Sequence, residues 1–114
     1  MEKPEYIKEL EKEIGIFSIM RFPIIEGDFL KYLKSKKIDE VYHECHFQEG
    51  NKFIFKNIIF ETKQNFYLSI ENIGVPTKWE MTIYYKPKQY SELFLFITQL
   101  NKEYKNATTN NRTN

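Results

Sequence analysis

One cysteine, Cys45, stands in 114 residues, so no internal disulfide can form. No apolar run approaches the roughly 20 residues a helix needs to cross a bilayer. The chain does not open with a basic segment leading into an apolar stretch and a small-residue cleavage site, and neither end carries a lipidation signal. These absences set the expectation of a cytoplasmic protein without a membrane partner. Charge of one sign is also lacking: 17 Lys and Arg against 16 Asp and Glu leave a formal net charge of +1. That balance excludes the broad positive field of a general nucleic-acid binder. Glycine is too sparse for a phosphate-cradling loop, since Gly15, Gly27, Gly50 and Gly74 lie far apart, each at the end of a patterned segment.

What is abundant is aromatic: 10 Phe and 8 Tyr, large enough side chains to build a core from few positions. The length is that of one ordinary domain, with no room for two. Residues 1–105 are therefore expected as a single domain, and residues 106–114, with no large apolar residue after Tyr104, as a disordered polar tail.

Alternation between Glu40 and Lys86 carries the fold class. Phe66, Leu68 and Ile70 alternate with Tyr67, Ser69 and Glu71; Trp79, Met81, Ile83 and Tyr85 alternate with Glu80, Thr82, Tyr84 and Lys86. Val41, His43, Cys45 and Phe47 alternate with Tyr42, Glu44, His46 and Gln48. Each set has the period of two that places one face of a strand in a core. Between Lys52 and Thr62 the parity changes. A bulge near Lys56-Asn57 would bring Phe53, Phe55, Ile58 and Phe60 to the core side, and without it Phe53, Phe55 and Ile59 would form an outer apolar patch. Glu49-Gly50-Asn51, Thr62 to Asn65, and Asn72 to Thr77 supply the turns.

Three helical patterns flank these strands. Tyr6, Ile7, Leu10 and Ile14 form a stripe from Pro4 to a stop at Gly15. Asp28 suits the N-cap of a second helix, with Phe29, Leu30 and Leu33 inward. After Pro87, the residues Tyr90, Leu93, Phe94, Ile97, Leu100 and Tyr104 recur at three and four, with Phe96 beside them. Residues 16–22 suit a short strand or extended chain, although the helical stripe can also be carried through Phe17; either should end at Pro23. The expected class is α+β: a four- to five-stranded, mainly antiparallel sheet with two or three helices packed on one face.

Candidate chemistry is thin. His43-Glu44-Cys45-His46 contains the side chains zinc accepts. On a strand, however, His43 and Cys45 point one way and Glu44 and His46 the other, so no complete metal site is expected and no cofactor is implied. Cys45 reads as a small core residue, where its thiolate is disfavoured, and the carboxylates assemble no catalytic pair from spacing alone. The expectation is a protein that is not an enzyme.

Binding is the remaining reading. If helices cover one sheet face, the other presents Tyr42, Glu44, His46, Tyr67, Glu71, Glu80 and Tyr84, an aromatic and acidic surface that fits a basic protein partner. That reading is of a small non-catalytic binding protein, a stoichiometric inhibitor of a nucleic-acid-handling effector of toxin-nuclease or phage-defence type. Two alternatives stand beside it. One is a nucleic-acid contact through Lys31, Lys34, Lys36 and Lys37 of the second helix, which otherwise complement its dipole. The other is a metal-assisted or acid/base enzyme around His46.

Overall fold

The structure is a computed structural model that describes residues 3–36, 38–48, 53–72 and 78–113. The turn expected at Glu49-Gly50-Asn51 and residues 73–77 of the next loop lie outside them. The chain runs α1 (Glu5–Ile14), β1 (Ser18–Glu26), α2 (Gly27–Ser35), β2 (Asp39–Gln48), β3 (Phe53–Glu61), β4 (Tyr67–Asn72), β5 (Lys78–Tyr85), a short 3-10 turn (Pro87–Gln89) and α3 (Tyr90–Thr113). The five strands form one antiparallel sheet in the order β1-β5-β4-β3-β2, and the fold is α+β. Strands β2 to β5 are consecutive neighbours. Strand β1 joins the far side of β5, so α2 carries the chain from one edge of the sheet to the other. Among the described residues no helix is long and apolar enough to cross a membrane.

Alternation sorts the side chains as the pattern in β4 and β5 requires. Ile58, Phe60, Phe66, Leu68, Ile70, Met81, Ile83 and Tyr85 form the inner core with Phe29, Leu30 and Leu33 of α2 and Leu93 and Leu100 of α3. Two helices thus close this face. The inward stripe of α3 is Leu93, Phe96, Ile97, Leu100 and Tyr104, whereas Tyr90 and Phe94, expected to face the sheet, are exposed together with Leu95. The helix is rolled towards Phe96, whose ring lies 5.5 Å from that of Phe66. Phe66 is completely buried, so that contact places Phe96 over the sheet and turns Phe94 away.

Four expectations are corrected. Strand β1 does not stop at Pro23 but runs to Glu26, with its register against β5 shifted between Phe22 and Ile25. Proline is tolerated because β1 is an edge strand, where a missing N–H need not break a ladder. The bulge expected at Lys56-Asn57 is absent: the β2–β3 ladder is in step from Glu44↔Asn57 to Gln48↔Phe53. The shift falls instead between Glu40 and Tyr42, which turns Val41 as well as Tyr42 to the outer face. Residues 106–113, expected as a disordered tail, continue α3, since added turns of an existing helix need no new nucleus. Finally, α1 packs on the sheet face opposite to α2 and α3.

The β3–β4 connection shows why its residues suit it. Thr62 accepts from Phe66 N–H at its Oγ1 (3.0 Å) and donates its own N–H to the Phe66 carbonyl (2.9 Å), while Asn65 takes the left-handed conformation at φ 63°. Asparagine is among the non-glycine residues that accept that region most readily.

Candidate partner-binding face

Three rows of register partners cross the outer face of the sheet. The first joins Glu61, Tyr67, Tyr84 and Ile19; the second joins Tyr42, Ile59, Ser69, Thr82 and Arg21; the third joins Glu44, Asn57, Glu71 and Glu80. Helix α1 and the segment after it cover the first two over the middle of the sheet. Ile7 and Phe17 are buried with Ile59, Tyr67 and Tyr84, and Tyr6, Leu10, Val41 and Tyr42 pack around them. The Phe17 ring stands edge-on to Tyr67 at 5.5 Å, and Tyr6 lies 5.8 Å from Tyr42, distances at which aromatic pairs add to burial.

The cover is tied down by charge. Glu11 accepts from Phe17 N–H (2.9 Å) and from Lys3 Nζ (2.6 Å). Burial pushes its carboxyl up, but these two bonds outweigh it and hold Glu11 below the usual carboxylate range. Lys86 donates to the carbonyls of Ile14 and, at 2.8 Å, Gly15, and its ammonium sits 4.7 Å from the centre of the Phe17 ring. Gly15 makes the turn beneath at φ 93°, ψ 172°, a region open essentially to glycine alone.

The cover removes two tyrosines from the expected open surface. Tyr67 is 6% and Tyr84 4% exposed. Burial, and then the carboxylates of Glu61 for Tyr67 and Glu71 for Tyr84, push both phenols up to about 12. Their place is in a second core, because α1 supplies the apolar stripe that their alternation had left unmatched. Tyr42 is half-buried at the margin of that core.

The third row lies beyond this cluster. Glu71 and Glu80 are half-buried and directly opposite one another on β4 and β5, an arrangement that like charges disfavour. Glu44 occupies the same row on β2; its side chain and that of His46 lie outside the described residues. Asn57, on β3 between Glu44 and Glu71, is only 8% exposed. Its Nδ2 donates to Ser69 Oγ (2.9 Å) and Glu71 Oε1 (3.2 Å). Its Oδ1, and Oε1 of Glu80, are buried without a hydrogen-bond donor. Each such atom costs about 1–3 kcal/mol in the free protein. Among its described side chains the row thus holds two buried acceptors, Asn57 Oδ1 and Glu80 Oε1, without a donor, and it lies outside the aromatic cluster of α1.

The remaining candidates are dispersed. Lys31 and Lys34 are exposed on α2, but Lys36 is paired with Glu103 of α3 and stands over the Tyr32 ring, and Lys37 lies outside the described residues. Its bonds to Lys36 and Gln99 hold the Glu103 carboxyl at about 2. His43 is on the inner side of the β2 edge, exposed, with Nδ1 3.0 Å from Glu40 Oε1. Asn57 is not among the candidates read from the sequence. The signal for Asn57 was present: an amide within Phe53-Ile54-Phe55-Lys56-Asn57-Ile58-Ile59-Phe60, a strand type that disfavours it. Comparison with protein families, curated proteins and solved structures finds no match.

Proposed function

We propose that this chain is a non-catalytic binding protein that presents the row of Glu44, Glu71 and Glu80 to a basic surface of another protein. In this reading it acts as a stoichiometric inhibitor in the cytoplasm, and its target is a nucleic-acid-handling effector of toxin-nuclease or phage-defence type. Proteins that handle nucleic acid carry clustered Lys and Arg for phosphate, and carboxylates on a pre-ordered strand surface compete for the same cations without chemistry. The observation that carries the reading is the surplus of buried acceptors at Asn57 and Glu80, left without donors in the free protein. Electrostatic complementarity of this kind sets association rate and partner choice more than raw affinity.

The nucleic-acid alternative has weaker support, because Glu103 neutralises Lys36 and leaves Lys31 and Lys34 as the described members of that group outside the ion pairs among the described residues. Affinity capture from the native cell separates the readings. The wild-type chain should retain a protein at one-to-one stoichiometry, the Lys31→Ala/Lys34→Ala variant should retain it too, and the Glu71→Lys variant, still folded, should lose it. Recovery of nucleic acid alone, abolished by the lysine changes and spared by Glu71→Lys, would favour the α2 surface instead.

A further inference from the structure

We infer that the pocket between β1, β5 and α3 is a binding site for a small amphiphile, an apolar body of medium-chain length that ends in one carboxylate. The pocket lies on the inner side of the sheet, away from the acidic row, and is independent of the reading above.

The hollow follows from two features of the fold. In β1 the register against β5 shifts between Phe22 and Ile25, so these residues, three apart, oppose Met81 and Trp79 and both pack against the inner core. Helix α3 is rolled towards Phe96 and the Phe66 ring beside β4, two strands in from the β1 edge. A pocket of about 320 Å3 remains between Phe22, Ile25 and Met81 of the sheet and Ile97 and Tyr104 of α3. Phe29 of α2 also lines it, its ring edge-on to Tyr104 at 5.1 Å. Phe22, Ile25, Ile97 and Tyr104 are only half-buried, so apolar surface is left uncovered inside a concave site. Ligand sites are hollows of about 300–1,000 Å3 lined by apolar and aromatic side chains, with a few polar groups that orient the ligand. About 150 Å3 of apolar cavity already holds a benzene.

The orienting groups here are Asn101 and Lys105, exposed and one turn apart on α3. Lys105 is the only charged residue among the described residues that line the pocket, and it joins none of the ion pairs among the described residues. An ammonium and a carboxamide four residues apart on a helix are neighbours, and together they can hold the two oxygens of a carboxylate. With a single cation, the head that matches in charge is a monovalent one. The larger hollow beside the Thr62–Asn65 turn offers no such match. Asp39, Glu61, Glu92 and Glu103 line it against Lys36 and Lys63, and Lys36 is already paired with Glu103.

The test titrates the full chain, labelled with nitrogen-15, with decanoate below its micellar concentration. Decanol and decylammonium, which keep the alkyl chain and change the head, are titrated in parallel. Decanoate should saturate at one-to-one stoichiometry and shift the side-chain amide of Asn101 together with the backbone amides of Ile97 and Tyr104. Lys105→Gln, at an exposed position, should keep the melting temperature and weaken decanoate about fivefold while leaving decanol within about twofold. Absence of saturable decanoate binding, or saturation that leaves Asn101 and Ile97 unmoved, overturns the site. Decanoate and decanol weakened alike in Lys105→Gln, or decylammonium bound as tightly as decanoate by the wild-type chain, overturns the carboxylate head. Each of these results leaves the acidic-row reading untouched.

Discussion

The inner and outer faces of this sheet are made by the same alternation, yet they are closed to different extents. On the inner side α2 and α3 bury a continuous layer from Leu33 through Phe60 and Leu68 to Leu93. On the outer side a helix of 10 residues and one phenylalanine close a smaller cluster around Ile7, Phe17, Tyr67 and Tyr84, and the third row is no part of it. A short helix can bury little, so what it does not reach must be stable while partly wet. In that row the buried Oδ1 of Asn57 and Oε1 of Glu80 have no hydrogen-bond partner, which is where a protein is expected to compromise stability for binding.

The largest effect should come from the inner layer. Phe60→Ala removes one of the bulkiest fully buried side chains and should cost about 3–5 kcal/mol, read from the urea midpoint at unchanged slope. Ile7→Ala tests whether the outer cover is a true core. Because α1 is short and can settle into the space, the expected loss is smaller, about 2–3 kcal/mol. A loss under about 0.5 kcal/mol would mean that α1 is only draped over the sheet. For the same reason Tyr67→Ala and Tyr84→Ala should register as lost stability before they register as lost docking.

The smallest effect at neutral pH concerns those two phenols. Both are raised to about 12 in the folded state from an ordinary value of 10.0. Between these values the folded chain holds protons that the unfolded chain has released, so stability falls as pH rises through the window and is unaffected below it. An ultraviolet titration should show two tyrosines ionising late, with the melting temperature dropping over the same range; Ile7→Ala should bring their ionisation earlier. Late ionisation unchanged in that variant would uncouple the phenols from α1.

Much of this architecture is legible locally. The alternations in β4 and β5, the Thr62–Asn65 turn and the stops and starts of α1 and α2 depend on neighbours within a few residues. Three features are not local. Pro23 reads as a stop until β1 is known to be an edge. Asn57 looks like the apex of a bulge because the actual shift, at Val41, lies on the partner strand. Tyr90 and Phe94 fit the helical stripe as well as Phe96 does, and only the Phe66 ring decides among them.

The residues alone determine which positions face together, since side-chain direction along a strand or helix follows from backbone geometry of period two or 3.6. They do not determine what each face meets. That α1 crosses to the side opposite α2 and α3, burying Tyr67 and Tyr84 while Asn57, Glu71 and Glu80 lie beyond its cluster, is decided by packing between segments some 50 residues or more apart. Burial of that kind is a property of assembled surfaces, and no short window of sequence contains it.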